Sequence, residues 1–162
     1  MAQDPEVIVT CGGDQNFAGI IECWPEEWFG PYSASVLDAA TAIRGGKTIV
    51  ALLRTRGDQK TDRVIGWLIW DDRFIPGCMY LRKAAVHKEY RKRGILGLLL
   101  SRAAEFAGPA GFRQIVGDLG ADSLVSPEYA RRLGFEPMGQ VTGLAADGYV
   151  TTFYGLKPSS KG

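Results

Sequence analysis

A predicted strand, Met79 to Val86, runs into Arg91-Lys92-Arg93-Gly94-Ile95-Leu96-Gly97, and a strongly apolar segment, Ile95 to Ala107, runs out of it. Nothing else in the 162-residue chain restricts the fold as much. A further short strand, Phe112 to Leu119, completes a strand–helix–strand crossover, and such a connection joins parallel neighbours. A glycine-containing turn that opens a helix leaves backbone N–H groups outside the helical ladder, and their partial positive charge suits an anion. Arg91, Lys92 and Arg93 add full charges at the same place. On residues alone this is a site for a phosphate or pyrophosphate. Basic runs also form solvated faces, and Gly94 also serves as a simple tight turn. The succession of strand, basic turn, glycine and apolar helix favours the anion site.

The rest of the chain reads in order. Glu6 to Thr10 is a first strand. Gly12-Gly13-Asp14 breaks it, with Asp14 as the cap of a short helix through Ile21. Ser35-Val36-Leu37-Asp38 has capping-box form and opens a helix that Gly45-Gly46 ends. Lys47 to Arg54 and Arg63 to Trp70 read as an antiparallel pair. Gly108-Pro109-Ala110-Gly111 stops the apolar helix. Ser126 caps a helix with Pro127 in its first turn, and that helix runs to Leu133. Phe135 to Thr142 and Tyr149 to Leu156 flank Asp147-Gly148 as a closing hairpin. Residues 158–162 read as a frayed tail, and the length suits one domain over residues 1–162.

Two segments together resemble the GNAT superfamily of N-acetyltransferases. Val86-His87-Lys88-Glu89-Tyr90-Arg91-Lys92-Arg93-Gly94-Ile95 is similar to its acetyl-CoA signature, R-x-x-G-x-G/A before a helix, which Arg91 and Gly94 match. Leu96 stands where the second Gly or Ala is expected, and Gly97 follows one place later. Pro127-Glu128-Tyr129-Ala130-Arg131-Arg132-Leu133-Gly134-Phe135 is similar to the late helix of the family that ends in L-G-F. The resemblance implies an α/β fold, a mixed and mostly antiparallel sheet of about seven strands flanked by about four helices. It implies acetyl-CoA as cofactor, its pantetheine pairing with the backbone of Ala84, Ala85 and Val86 as an added strand would. The pyrophosphate would meet Arg91, Lys92, Arg93, Gly94, Ile95, Leu96 and Gly97. Ser123 replaces the family's Asn on the cofactor.

Transfer of an acetyl group from a thioester to an amine needs a proton acceptor, a donor for the oxyanion and an acid for the departing thiolate. The family's acid is a Tyr at the position Ala130 occupies here. Tyr129 is adjacent, but one helical step turns it by about 100°. It is retained as a candidate acid beside the alternative of a core aromatic near Leu133. Glu22, Glu26, Glu27 and Asp118 are candidate bases. Aromatic residues alternate with carboxylates from Glu22 to Tyr32. Glu22, Glu26, Glu27 and Trp28 are therefore candidates to receive a primary amine of a small molecule or peptide. The competing reading is a loop whose aromatics, Trp24 included, pack on the core. A non-catalytic coenzyme A-binding sensor or subunit of the same fold is the alternative function, and Ala130 favours it.

Composition closes off other classes. A net charge of +1 argues against a nucleic-acid binder. Three widely spaced cysteines and a single histidine make no metal site. No apolar run is long enough for a bilayer, and the first residues are not a signal peptide, so a cytoplasmic monomer or homodimer is expected.

Overall fold

The computed structural model describes residues 5–24, 40–54, 62–119, 125–144 and 148–159. Its strands are β1 (Glu6–Cys11), β2 (Thr48–Arg54), β3 (Arg63–Asp71), β4 (Cys78–Val86), β5 (Gln114–Leu119), β6 (Glu136–Thr142) and β7 (Val150–Leu156). Its helices are α1 (Phe17–Glu22), α2 (Ile95–Ala107) and α3 (Pro127–Arg132), and residues 40–44 are helical as well. The seven strands hydrogen-bond in the order β1-β2-β3-β4-β5-β7-β6. β4 and β5 run parallel, as the crossover requires. β1 with β2, β2 with β3, β5 with β7 and β6 with β7 are antiparallel. This is the mixed, mostly antiparallel sheet with helices that the sequence predicts. The chain forms two compact units, Met1–Asp71 with Arg82–Arg102, and Asp72–Leu81 with Ala103–Gly162.

In the first unit β3 is buried continuously from Val64 to Trp70. A strand buried on both faces reads as a run of apolar residues rather than an alternation, and Val64-Ile65-Gly66-Trp67-Leu68-Ile69-Trp70 is such a run. α1 lies close to this strand, since a Cβ on Gly19 would stand 2.7 Å from Val64 Cγ2. α2 lies equally close, since a Cβ on Gly66 would stand 2.9 Å from Ile95 Cγ2 and 3.3 Å from Leu99 Cδ1. Ile20, Trp24, Val50, Trp67, Ile69 and Ala85 belong to one core cluster. Trp24 stacks on Trp67 with ring centroids 4.7 Å apart. The aromatic segment after α1 therefore begins as core.

The first helix starts differently from the sequence expectation. Residues Asp14–Asn16 form a 3₁₀ turn and Asp14 caps nothing. Buried Asn16 turns its side chain back, and Oδ1 accepts the Gly13 N–H at 2.9 Å. The helical stretch 40–44 ends as predicted. The amides of Gly45 and Lys47 donate to Thr41 and Ala42, with Gly46 at φ +67°. Its proposed start at Ser35 to Asp38 lies outside the described residues.

In the second unit α2 closes at Ala107, where the Phe112 amide donates to the Ala107 carbonyl. The Arg113 amide donates to Gly77 O. The Phe112 amide is thus spent on closing the helix and the Arg113 amide on the residue before β4, and β5 begins at Gln114 instead of Phe112. Ser126 caps α3, its Oγ accepting from the Tyr129 amide at 3.1 Å. Gly134 at φ +92° ends it, and the Phe135 amide returns to the Ala130 carbonyl. β6 is the last strand of the sheet and is exposed along its whole length.

Two tests address this architecture. Gly66→Val should cost about 1–3 kcal/mol in urea unfolding, because its side chain overpacks the contact with α2. An unchanged midpoint would mean α2 does not lie against β3. The second concerns Cys23, which is buried and whose Sγ donates to Val64 O. Burial pushes its thiol up from 9.0 to about 11, with Arg63 opposing and Glu22 adding to the shift. The folded state thus holds a proton that the unfolded state releases first. Stability should fall as pH rises from about 9 to about 11, and Cys23→Ala should remove this slope.

Candidate functional site

The basic turn is built from both sides. On entry, β4 ends at Val86 and the His87 amide donates to Ile65 O of β3 at 2.8 Å. Lys88–Tyr90 form a 3₁₀ turn capped by His87, whose Nδ1 accepts the Glu89 amide at 3.3 Å. Arg91 is extended and its Nε donates to Val86 O at 3.1 Å, clasping the turn to the strand end. Lys92 has φ +61° and Gly94 has φ +78°. Among the described residues Lys92 is the one non-glycine in the left-handed region. Successive residues of this kind turn backbone N–H groups into a concavity that suits an anion.

On exit, the Leu98 amide makes the first rung of α2 by donating to Gly94 O. The amides of Ile95, Leu96 and Gly97 precede that rung, at the positive end of a 13-residue helix. A Cβ on Gly94 would meet nothing within 4 Å. Glycine is needed there for its backbone angle, and the space above it is open. Arg91, Lys92 and Arg93 are exposed, and the Arg93 guanidinium lies 5.3 Å from the Tyr90 ring centroid. Amide donors, exposed cations and open space are therefore in one place.

The strand that feeds the turn has a second feature. Its parallel pairing with β5 runs from Cys78↔Gln114 to Leu81↔Gly117, while β4 itself continues to Val86. Ala84, Ala85 and Val86 lie beyond the last of those pairs. Ala85 is buried in the core of the first unit, whereas Ala84 and Val86 are half-buried.

The other sequence candidates are scattered. Tyr129 is half-buried in α3 with the Arg132 guanidinium 5.6 Å from its ring centroid. Ala130 beside it is buried. Asp118 lies within β5, opposite Phe153, and accepts a hydrogen bond from the Tyr80 hydroxyl. Glu22 is exposed at the end of α1. Glu26, Glu27, Trp28 and Ser123 lie outside the described residues. No group of three His, Cys, Asp or Glu side chains among the described residues could hold a metal.

The structure also brings in a residue that the sequence analysis passes over. Arg63, at the start of β3, places Nη2 3.0 Å from His87 Nε2 and Nη1 3.7 Å from Glu89 Oε2. No local spacing reveals this, because the partners are separated by the whole of β3 and β4.

The left-handed Lys92 gives a test of the turn itself. Lys92→Val should cost about 1–2 kcal/mol although the site is exposed, because a β-branched residue is strained at positive φ. Lys92→Gly should cost distinctly less. Equal losses in the two variants, read from urea unfolding, would contradict the turn conformation.

Comparison with known proteins bears on the fold and the family. Similar solved structures include a GNAT-family acetyltransferase from Bacillus cereus, 17% identical with a TM-score of 0.75 over 95% of this chain and 99% of that one. An N-acetyltransferase from Staphylococcus aureus is 18% identical, with a TM-score of 0.72 over 95% and 99%. The yncA protein of Salmonella typhimurium, solved with its cofactor acetyl-CoA, is 17% identical, with a TM-score of 0.69 over 95% of each chain. These likenesses show the fold. No curated protein matches the sequence. Residues 13–135 match the family described as acetyltransferase (GNAT), and the chain therefore belongs to that family.

Proposed function

We propose that the chain is an acyl-CoA-dependent N-acetyltransferase, a single domain over its whole length, that acts on a primary amine of a small molecule or peptide. The observation that carries this reading is the cradle at Arg91–Gly97. It combines two left-handed residues, the amides at the start of α2, three exposed cations and open space over Gly94. A diphosphate fits that donor set. Acetyl-CoA, when bound, would supply the acetyl thioester, and coenzyme A would leave as the thiol. The residues of this chain then have distinct tasks. Arg91 to Gly97 hold the diphosphate, and the backbone of Ala84 to Val86 offers hydrogen bonds to an extended ligand. The Arg91 clasp on Val86 O fixes the spacing between these two parts.

Proton handling is the less furnished part. Ala130 cannot donate a proton, and Tyr129 is turned away from it by one helical step. Water is then the donor to the departing thiolate, which is a tolerable leaving group. Glu22, Glu26, Glu27 and Trp28 would draw in a protonated amine by charge and cover it by an aromatic face. The second reading is a coenzyme A-binding sensor or subunit without catalysis, and buried Ala130 is the observation that favours it.

Thermal shift and turnover separate these readings. Acetyl-CoA should raise the Tm of the native chain, because a ligand of the folded state stabilises it by mass action. Gly94→Glu, which brings a carboxylate into the open space, should remove most of that shift while the protein stays folded. A panel of amines with acetyl-CoA, followed by thiol release, should then find an acceptor. A shift that survives intact in folded Gly94→Glu contradicts the cofactor site, and binding without thiol release for any amine favours the sensor.

A further inference from the structure

His87 is the one histidine in the sequence, and no part of the proposed chemistry uses it. Its side chain is only 12% exposed although it stands in a surface turn. Two donors face its ring. The Glu89 amide points at Nδ1 from 3.3 Å, and the Arg63 guanidinium points at Nε2 from 3.0 Å. Neither donor can accept a hydrogen bond. The Tyr90 ring meets the imidazole edge-on at 5.8 Å, and Tyr90 in turn carries the Arg93 guanidinium. The Glu89 carboxylate lies 3.7 Å from Nδ1 and 3.7 Å from Arg63 Nη1. The charged groups recorded against the ring among the described residues are therefore Arg63 from β3 and Glu89 from the 3₁₀ turn.

We propose that His87 is a positioning residue for the cofactor turn, and that it holds the turn only while its imidazole is unprotonated. The inference rests on the coenzyme A reading given above. A neutral imidazole keeps one nitrogen that accepts, whichever tautomer it adopts, so it satisfies Arg63 or the Glu89 amide. An imidazolium keeps none. Protonation sets two N–H groups against two donors and a positive ring against the Arg63 guanidinium, with the exposed Glu89 carboxylate as the counter-charge among the described residues. With Nδ1 as the accepting nitrogen of the neutral ring, the cap of the Lys88–Tyr90 turn is then lost, and with it the alignment of Arg91, Lys92 and Arg93 ahead of α2. Coenzyme affinity should fall as pH drops through the range in which imidazoles take up a proton.

The sign of this effect is distinctive. A diphosphate acting on His87 through charge alone would favour the imidazolium and bind more tightly at low pH. The clasp predicts the reverse. Loss of one hydrogen bond of about 1 kcal/mol corresponds to about fivefold in affinity.

The experiment is calorimetric titration of the full chain with dephospho-coenzyme A, which lacks the phosphomonoester that would itself titrate. It is run at about pH 8 and about pH 5.5, the span over which imidazole changes charge. Wild type should bind about fivefold more weakly at the lower pH. His87→Gln keeps an accepting oxygen and cannot gain a proton, so its affinity should be the same at both values. As a check that needs no variant, the single imidazole resonance can be followed by NMR. By linkage, saturation with dephospho-coenzyme A should move its titration to lower pH. Wild-type affinity that is flat or rises at low pH, or a titration that moves up on binding, overturns the proposal and leaves the cofactor site standing. So does a full pH dependence in His87→Gln. Absence of binding at both pH values overturns the cofactor reading and this inference with it.

Discussion

The basic turn depends on a close approach of helix to strand. At Gly66 β3 has no side chain, so Ile95 and Leu99 of α2 come down almost to its backbone. The neighbouring Ile65 carbonyl takes the His87 amide at the end of β4. Two adjacent residues of one buried strand thus anchor both limbs of the turn. The chain must reverse between them within a few residues. It does so through the left-handed angles of Lys92 and Gly94. Glycine adopts such angles freely, whereas at Lys92 the strain is of order 1–3 kcal/mol and persists because packing fixes both ends of the turn.

This arrangement explains why the site is electrostatically strong without being buried. The amides at the start of α2 cannot turn away, because the helix is held by its contacts on β3. Their partial charge is fixed in space, while the three exposed cations beside them are screened over about 10 Å. Of those cations, Arg91 spends Nε on the strand and Arg93 lies against Tyr90. The turn therefore offers backbone amides as donors, its basic side chains add long-range attraction, and the Arg91 and His87 side chains brace it. Leu96 in place of a second glycine or alanine is compatible with this, since the open space lies over Gly94.

Much of the architecture was legible in the sequence for physical reasons. The bounds of α2 follow from Gly94 at one end and Gly108-Pro109 after the other. The cap of α3 follows from Ser126-Pro127, and the parallel β4–β5 pair follows from the crossover. Other features depend on contacts that spacing cannot carry. Asn16 displaced Asp14 as the organiser of the first turn because its amide is buried and must find a partner. The first residue of β5 lies later than Phe112 because the Phe112 amide is spent on the end of α2. Trp24 belongs to the core through Trp67, far along the chain. Arg63 meets His87 only because β3 and β4 bring them together.

The central claim is that the backbone of the turn, rather than its basic side chains alone, receives the coenzyme diphosphate. Backbone amide chemical-shift mapping tests it most directly. On titration with coenzyme A, the largest changes should fall on Lys92 to Gly97, followed by Ala84 to Val86. Large changes elsewhere, with the amides of Lys92 to Gly97 unmoved at saturation, would contradict the account.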